Sequence, residues 1–266
     1  MVNMFDIYTC NKCGSENDRQ PMYYGYGRET DHTVAFFFEI PGGDLKSKDK
    51  EEERRFDLVK FVENGQIGCD HTAEVSRYWR CGMLRWIFEN HRKMFQPVVY
   101  ALSESGFINR DKRYKLASWE GYYQYVIQAA EKEIYFSDVV KCRPRYKGKM
   151  YREYEANKRC PTLYLEQEIK LLKNLELIIV FGYDTFSVFR ETVFQGQMEL
   201  VTSSNGGARK RMSHGDVYRL SKDGLAHPFV ILSLHPSSMR RLKKGEFIDT
   251  VDNLTKSICG CAKAHK

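Results

Sequence analysis

The sequence predicts an α/β protein of three layers (α/β/α), in which helices cover both faces of a central, mainly parallel four-stranded sheet. Two observations lead to this class. Short apolar runs of strand length alternate along the chain with longer stretches whose apolar residues repeat at helical spacing. Each apolar run also ends at Gly, at Pro or at a polar motif. Because neighbouring parallel strands need a crossover connection, usually a helix, this alternation indicates a sheet buried between two helical layers.

The predicted strands are the apolar runs at residues 33–40, 133–140, 177–181 and 229–234. The first run reads Thr-Val-Ala-Phe-Phe-Phe-Glu-Ile and stops at a Pro-Gly-Gly turn, while the third ends at Gly182. Two stretches between or after the strands have clear helical spacing. Their apolar faces consist of Leu165, Ile169 and Leu172 in the helix predicted at 160–175, and of Phe247, Val251, Leu254 and Ile258 in the helix predicted at 246–258.

Length and composition describe one domain, residues 1–266, that carries two insertions. A chain of 266 residues with 42% hydrophobic residues can bury a single large core. Residues 43–77 begin with a charge run, and residues 103–119 are polar and basic, so both are predicted to be insertions on the fold. No run approaches the ~18 consecutive apolar residues of a membrane-spanning helix, so we expect no membrane association.

The N-terminus and the eight cysteines bear on the compartment. Residues 1–6 lack the basic-then-apolar order of a signal peptide. Cysteines in a chain without an export signal are expected to stay reduced, and clustered thiols then favour metal binding over disulfides. We therefore expect a cytoplasmic protein, and we expect it to be a monomer. The net charge of +7 permits a polyanionic partner.

Four of the cysteines form a candidate metal site. Cys10 and Cys13 are a Cys-x-x-Cys pair, Cys142 follows the second predicted strand, and Cys160 is placed at the beginning of a predicted helix. Four thiolates can enclose either a [4Fe–4S] cluster or a structural zinc ion. The residue types alone leave both alternatives open.

Three polar motifs fall at the ends of predicted strands. Pro-Gly-Gly-Asp, which ends at Asp44, follows the first strand; Asp138 lies at the end of the second; and His-Pro-Ser, which begins at His235, follows the fourth. In open parallel sheets, binding sites form beyond the carboxyl ends of the strands. The sequence therefore predicts that these motifs meet in one functional site.

The motifs resemble those of the family-4 uracil-DNA glycosylases, the iron–sulfur branch of the uracil-DNA glycosylase superfamily. The resemblance rests on Phe-Glu-Ile-Pro-Gly at 38–42, on Ser-Asp-Val-Val-Lys-Cys-Arg-Pro at 137–144, and on His-Pro-Ser-Ser-Met-Arg at 235–240. It covers most of the chain outside the two insertions. It implies a uracil-DNA glycosylase-like fold, DNA as the partner, base flipping, and a [4Fe–4S] cluster. The expected cluster ligands are Cys10, Cys13, Cys142 and Cys160.

The same resemblance implies roles for the residues at the fourth strand. His235 is expected to donate a hydrogen bond to the base carbonyl O2 and so to stabilise the departing base as an anion. The hydroxyl and basic residues that follow it are expected to hold phosphate, and an apolar residue among them is a candidate wedge for the vacated base stack. These DNA-contacting residues are Ser237, Ser238, Met239, Arg240 and Arg241.

The first motif leaves open how the attacking water is activated. Family 1 of the superfamily has an Asp in this motif, and the corresponding position here is the apolar Ile40. The water must then be positioned by Glu39, by backbone groups or by Asp44, and we favour Glu39. Tyr78 and Trp79 are further candidates for contact with the flipped base.

Asp138 departs from the family pattern in a way that bears on the choice of base. The family has an Asn at this position, and its amide both donates to uracil O4 and accepts from N3–H. An ionised Asp can only accept, which suits the 4-amino group of cytosine and disfavours uracil O4. A protonated Asp138 would instead donate to O4. We favour recognition of a cytosine-type base.

Three functions remain as hypotheses. Because excision of ordinary cytosine would destroy the host genome, the first is removal of a 5-substituted cytosine, such as a glucosylated hydroxymethylcytosine in phage DNA, as antiviral defence; the 43–77 insertion would make room at C5. The second is conventional uracil excision in base-excision repair. The third is a non-catalytic member that binds or covalently traps a DNA lesion, with His71 as a remote candidate for the trapping residue.

Overall fold

The computed structural model describes residues 17–18, 32–39, 88–140, 143–144, 155–203 and 212–265. Within these ranges the strands are β1 (Asn17–Asp18), β2 (Val34–Phe38), β3 (Ile134–Asp138), β4 (Arg143–Pro144), β5 (Leu177–Phe181), β6 (Met198–Thr202), β7 (Val217–Leu220) and β8 (Phe229–Ser233). The helices are α1 (Arg92–Glu104), α2 (Trp119–Lys132), α3 (Glu155–Leu171), α4 (Tyr183–Ser187), a π-helical turn (Val188–Val193), α5 (Pro236–Met239) and α6 (Lys244–His265).

The central sheet has the strand order β3-β2-β5-β8-β7-β6. Its first four strands are mutually parallel, as the sequence predicts, and they lie within the four predicted apolar runs. The predicted number of strands was wrong, because β7 and β6 extend the sheet as an antiparallel hairpin beside β8. The edge strand β6 exposes Leu200 and Val201 side by side, at 48% and 49%. It therefore has neither a buried apolar run nor the alternation that marks a strand in a sequence.

Successive side chains of each parallel strand point to opposite faces of the sheet, and each face packs against its own helices. On one face, Phe36, Phe136 and Ile179 belong to a core that α1, α2 and α6 complete. On the other face, Phe37 and Tyr135 belong to a core that α3 and α4 complete. This is the predicted three-layer arrangement, with the four parallel strands buried on both faces.

The helices differ from their predicted bounds at their ends. Helix α3 begins at Glu155 and ends at Leu171, so Cys160 lies inside the helix and not at its beginning. The added turn, Glu-Ala-Asn-Lys-Arg, has residues of good helix propensity but no apolar periodicity. The predicted helix at 246–258 is confirmed as part of α6, which extends further in both directions. None of the helices in the described ranges is long and apolar enough to cross a membrane.

The second predicted insertion is a packed connection between two helices. Ser103 and Glu104 still belong to α1, and the chain then runs through turns to α2 at Trp119. Asn109 holds this connection together, because its side-chain nitrogen donates to Tyr114 O at 2.9 Å. Apolar residues of the connection are buried in the core: Phe107, Ile108 and Leu116. The first predicted insertion, residues 43–77, lies outside the described residues.

A short antiparallel ladder joins two segments that are distant in sequence. In it, β1 pairs with β4, with Asn17 opposite Pro144 and Asp18 opposite Arg143. Cys13 lies four residues before Asn17, and Cys142 lies immediately before Arg143. The ladder therefore brings the segment after the Cys-x-x-Cys pair beside the segment after Cys142.

Candidate active site

The carboxyl ends of the four parallel strands meet at one edge of the sheet and form the candidate site. Asp138 pairs in register with Phe38 at the ends of β3 and β2. The ring of Phe38 stacks on the ring of Phe181 at 4.8 Å, and Phe181 pairs with Ser233 at the ends of β5 and β8. At about 4.8 Å between neighbouring strands, Asp138 and Ser233 are about 14 Å apart. His235, two residues after Ser233, thus lies across the site from Asp138.

Asp138 is buried at the end of β3, with 3% of its surface exposed. By the alternation of the strand, its side chain shares a face with Phe136 and Phe38. Its neighbour Ser137 points to the opposite face, where its hydroxyl donates to Glu168 on α3 at 2.5 Å. The backbone and the neighbouring residue are thus both fixed, which restrains the position of the Asp138 carboxyl group.

Glu39 lies beside Asp138, because the pairing of β2 with β3 continues past the strand ends. Val139 N donates to Phe38 O at 2.8 Å, and Val140 N donates to Glu39 O at 3.1 Å. Burial raises the pKa of Glu39 to about 7, and the negative charge of Asp184 in the first turn of α4 adds to this shift. Glu39 therefore changes its charge near neutral pH, which is the property of a group that exchanges protons during a reaction.

His235 is the N-cap residue of α5, and its ring is held by the helix that it caps. Ser237 N donates to His235 Nδ1 at 3.3 Å, and the Ser237 hydroxyl lies 2.7 Å from the same nitrogen. Burial lowers the pKa of His235, so the ring is neutral at pH 7. Because Nδ1 accepts the backbone hydrogen bond, the single ring proton resides on Nε2. His235 can thus donate a hydrogen bond from Nε2.

A second histidine, His214, fixes the segment that leads to His235. Leu234 N donates to His214 Nδ1 at 2.9 Å, so His214 Nε2 carries the proton and donates to Thr250 O on α6 at 2.7 Å. Burial lowers the pKa of His214. This residue ties the end of β8 to α6 and was missed by sequence reasoning, because its two partners are backbone groups distant in sequence.

The turn after β5 packs directly beneath His235. Gly182 has a φ of +111°, a backbone conformation that residues other than glycine rarely adopt. A Cβ atom at this position would lie 2.9 Å from Thr185 Oγ1 and 3.8 Å from His235 Cβ. Gly182 therefore permits a close approach between α4 and the His235 loop. The sequence carried a signal for this turn, since a glycine directly follows the third predicted strand.

The predicted DNA-contacting residues divide by exposure. Ser237, Ser238, Arg240 and Arg241 are exposed, and Arg240 Nη2 donates to Asn90 O at 3.2 Å. Met239, in contrast, is only 1% exposed and packs into the core. A wedge must project from the surface, so the structure argues against that role for Met239. Its buried side chain instead anchors the loop that presents its exposed neighbours.

His91 is a further residue at this site that sequence reasoning missed. It precedes α1, and its ring contacts Phe95 edge-on at 6.5 Å. Burial, with smaller contributions from the nearby Arg240 and His235, lowers the pKa of His91 to about 4. His91 is therefore neutral at pH 7 and lies beside the loop that follows β8.

Several predicted site residues lie outside the described ranges: Cys10, Cys13, Asp44, Tyr78, Trp79 and Cys142. Of the predicted cluster ligands, Cys160 is described, and it is buried at 2% exposure in α3. Among the described residues, no group of three or more His, Cys, Asp and Glu side chains is arranged to hold a metal ion. The predicted cluster and the roles of these residues stay predictions.

The fold is that of an open α/β sheet, a class in which ligands bind beyond the carboxyl ends of the parallel strands. More specifically, the chain belongs to the uracil DNA glycosylase superfamily, whose family profile matches residues 67–256, more than half of the chain. This membership indicates a DNA glycosylase, a hydrolase that binds DNA. No curated protein matches the sequence.

The family match covers only part of the central sheet that the structure shows. The match contains Asp138 and His235 but begins after β2 and Glu39. In the structure, β2 lies inside the sheet between β3 and β5. The residues before the match therefore contribute a central strand and one of the candidate site residues.

Proposed function

We propose that the protein is a DNA glycosylase that removes a 5-substituted cytosine from DNA. The observation that carries this proposal is the placement of Asp138, a buried carboxyl group across the site from His235. Their strand ends lie ~14 Å apart, close enough for the two side chains to reach opposite edges of a single pyrimidine ring.

Asp138 supplies the base recognition in this proposal. The target nucleotide leaves the duplex and enters the site, as enzymes that act on bases require. The ionised Asp138 carboxylate then accepts a hydrogen bond from the exocyclic 4-amino group, whereas uracil O4 would face it with a second acceptor. A buried mismatch of this kind can lower the rate of excision of the wrong base, relative to the matched base, by orders of magnitude.

His235 stabilises the leaving group. As the N-glycosidic bond breaks, negative charge builds on the base and positive charge on the sugar. A neutral imidazole with its proton on Nε2 donates to the base O2 and stabilises that charge without carrying a charge of its own. The hydrogen bond that Nδ1 accepts from Ser237 N keeps the ring in this tautomer.

Glu39 activates the attacking water in this proposal. With a pKa of about 7, a substantial fraction of Glu39 is ionised at neutral pH, and this fraction can accept the proton that the water loses as it attacks the sugar. Burial, with the added negative charge of Asp184, holds the pKa of Glu39 high and so makes its carboxylate a stronger base. Asp44, outside the described residues, is the alternative group for this step.

We also propose that Cys10, Cys13, Cys142 and Cys160 hold a [4Fe–4S] cluster. Four thiolates are the donor set that such a cluster needs. The β1–β4 ladder supports the assignment, because four extended residues reach at most about 13 Å, which keeps Cys13 close to the strand that follows Cys142. When bound, the cluster would order the surrounding polypeptide and take no part in bond cleavage.

The proposed substrate is a cytosine with a bulky group on C5, as in phage DNA, and the proposed role is antiviral defence. A glycosylase that reads only the 4-amino group would attack ordinary cytosine throughout the host genome. A second discriminator at C5 is therefore required, and the segment at 43–77 is our candidate for it.

Incubation with matched oligonucleotides tests the proposal. Each oligonucleotide carries one uracil, cytosine, 5-hydroxymethylcytosine or glucosylated 5-hydroxymethylcytosine, and alkali then cleaves any abasic site. We expect cleavage for a 5-substituted cytosine and little for uracil. Preferred cleavage at uracil would instead support conventional repair, in which a protonated Asp138 donates to O4. Binding without cleavage of any probe would support a lesion-binding member.

A further inference from the structure

A groove of about 1390 Å³ runs from the loop after His235 along α1 and α6. On one side it is lined by Lys93, Pro97 and Tyr100 of α1, and on the other by Arg240, Lys244 and Ile248. We propose that this groove binds single-stranded DNA that flanks the flipped nucleotide. This inference rests on the proposed function, because the loop that would grip the target strand also forms one end of the groove.

The chemistry of the groove matches that of a single strand. Such a strand presents phosphates and the faces of its bases at the same time, and proteins bind it with cations beside aromatic or apolar surfaces. In the groove, Tyr100 and Ile248 are large hydrophobic residues that are 43% and 47% exposed. Both sides also carry cations, Lys93 on α1 and Lys244 on α6. A paired duplex keeps its base faces stacked and would leave the apolar surface unused.

The excess of positive charge along the groove favours a polyanionic ligand. Four cations line it, namely Arg92, Lys93, Arg240 and Lys244, against the single carboxylate of Glu89. Among the described residues, no ion pair neutralises Lys93 or Lys244. At the end near α2, the guanidinium of Arg92 lies 3.7 Å above the ring of Trp119, which is itself 43% exposed. This stacked pair offers a flat cationic surface of the kind on which an unpaired base can stack.

The groove is continuous with the proposed active site. Arg240 lines it and also belongs to the loop after His235, where its guanidinium donates to Asn90 O beside the start of α1. A strand held by the exposed Ser237 and Ser238 would therefore enter the groove directly as it leaves the site.

Fluorescence anisotropy with three DNA probes tests the inference. All three contain the same duplex with one target base; one is blunt, and the others carry a tail of about six thymidines on the 5′ or the 3′ side of the target strand. We expect the wild-type protein to bind one of the tailed probes at least about tenfold more tightly than the blunt probe. Equal affinity for all three probes would overturn the inference.

Four variants test whether the groove residues cause the effect of the tail. Lys93→Ala/Lys244→Ala should remove most of the gain from the tail and reduce the salt slope of log K by about 1.4, since each lost phosphate contact contributes about 0.7. The matched control, Lys173→Ala/Lys256→Ala, removes two exposed cations outside the groove and should behave like the wild type. Tyr100→Ala should also lose the gain, while Tyr100→Phe, which keeps the ring, should retain it. If the tail still increases the affinity of both Lys93→Ala/Lys244→Ala and Tyr100→Ala as much as that of the wild type, the inference is wrong.

Competition and excision separate the remaining outcomes. If polyglutamate displaces the tail as effectively as a thymidine oligomer of equal charge, the groove recognises acidic chains in general and the inference fails. It also fails if Lys93→Ala/Lys244→Ala changes the sedimentation mass but not tail binding, because the groove would then join two copies of the chain. If the protein excises its base from the blunt duplex and the tails do not change its affinity, the inference about the groove is wrong and the proposed function stands. If the tails increase affinity but no base is excised, the inference about the groove is supported and the proposed function is wrong.

Discussion

The two edges of the parallel sheet use the same kinds of residue for different purposes. At the amino edge, Glu133 accepts hydrogen bonds from Asn109 N at 3.0 Å and from the Tyr125 hydroxyl at 2.9 Å, and Glu176 pairs with Arg110 at 2.6 Å. These carboxylates have dedicated donors. They connect the strand ends to the neighbouring turns and helices.

At the carboxyl edge, Glu39 is half-buried near a second negative group, Asp184, and desolvation together with this charge raises its pKa to about 7. A neutral histidine, His235, follows β8 at the same edge. The carboxylates of Glu133 and Glu176 at the amino edge have donors for their oxygens, whereas Glu39 at the carboxyl edge lies where its charge is costly to maintain. This difference indicates which edge carries the chemistry.

The largest expected effect concerns a third region, around Cys160, and is one of stability. Cys160→Ser should greatly reduce the free energy of unfolding and remove the broad absorption near ~400 nm that iron–thiolate sites show, because metal binding contributes directly to folding. Absorption spectra of anaerobically purified protein and chemical denaturation would measure both. The control is Cys259→Ser, at an exposed cysteine. A colourless wild-type protein with stoichiometric zinc would contradict the cluster.

The next largest effect is expected at the carboxyl edge. His235→Ala should lower the single-turnover rate of base excision by about 10²–10³, the usual loss for one donor to a developing anion, with DNA binding near normal. Arg110→Ala, at the exposed ion pair of the amino edge, should leave the rate within about twofold. Equal losses of rate in the two variants would remove the distinction between the edges.

The pH dependence of excision tests Glu39. The ionised form is the base, so the rate should rise with pH up to the pKa of about 7 and level off above it. At pH 5 the ionised fraction is about a hundredth, so the rate should fall about a hundredfold. Glu39→Gln should be slow and lack this dependence, and Asp184→Asn should shift the midpoint to lower pH. A profile with the same midpoint in all three proteins would assign the titration to another group.

Asp138→Asn tests base recognition with a smaller expected effect. The amide regains a donor for O4 and loses the charge of the carboxylate, so preference should move from the natural base toward uracil. One such pair is worth ~1–3 kcal/mol, which is a shift of about ten- to a hundredfold in relative rate. Single-turnover assays with both bases measure the ratio. An unchanged ranking of substrates would exclude Asp138 from base recognition.

The smallest expected effect is at the amino edge and is confined to stability. Glu133→Ala leaves Tyr125, a buried residue, and the backbone N–H of Asn109 without their acceptor. This should cost about 1–3 kcal/mol of the free energy of unfolding and leave the excision rate unchanged. Urea denaturation and the single-turnover assay measure the two quantities on the same preparation. A loss of rate at constant stability would mean that the amino edge also takes part in the reaction.

The parts of the fold that the sequence predicts are those with a strong local signal. β2, β3, β5 and β8 are buried on both faces and consist of or begin with an apolar run, while β6 and β7 lie toward the edge and give no such run. The site divides in the same way. Asp138 lies at the end of one predicted strand and His235 follows another, so their placement at the same edge of the sheet could be foreseen. His91, Asp184 and His214 matter only through neighbours that folding brings to them, and their own sequence context carries no chemical motif.

The position of β2 at the centre of the sheet has a consequence for the synthesis of the chain. Val34 pairs with Ile134 on one side and with Leu177 on the other, so both partners of this strand are translated at least 100 residues later. At about 5–20 residues per second, the ribosome delivers the second partner on the order of 10 s after β2 itself. During that interval the segment Val-Ala-Phe-Phe-Phe is a strongly apolar stretch without its native partners. The pairing of β2 is therefore entirely long-range, and we expect this segment to be prone to aggregation until its partner strands have been made.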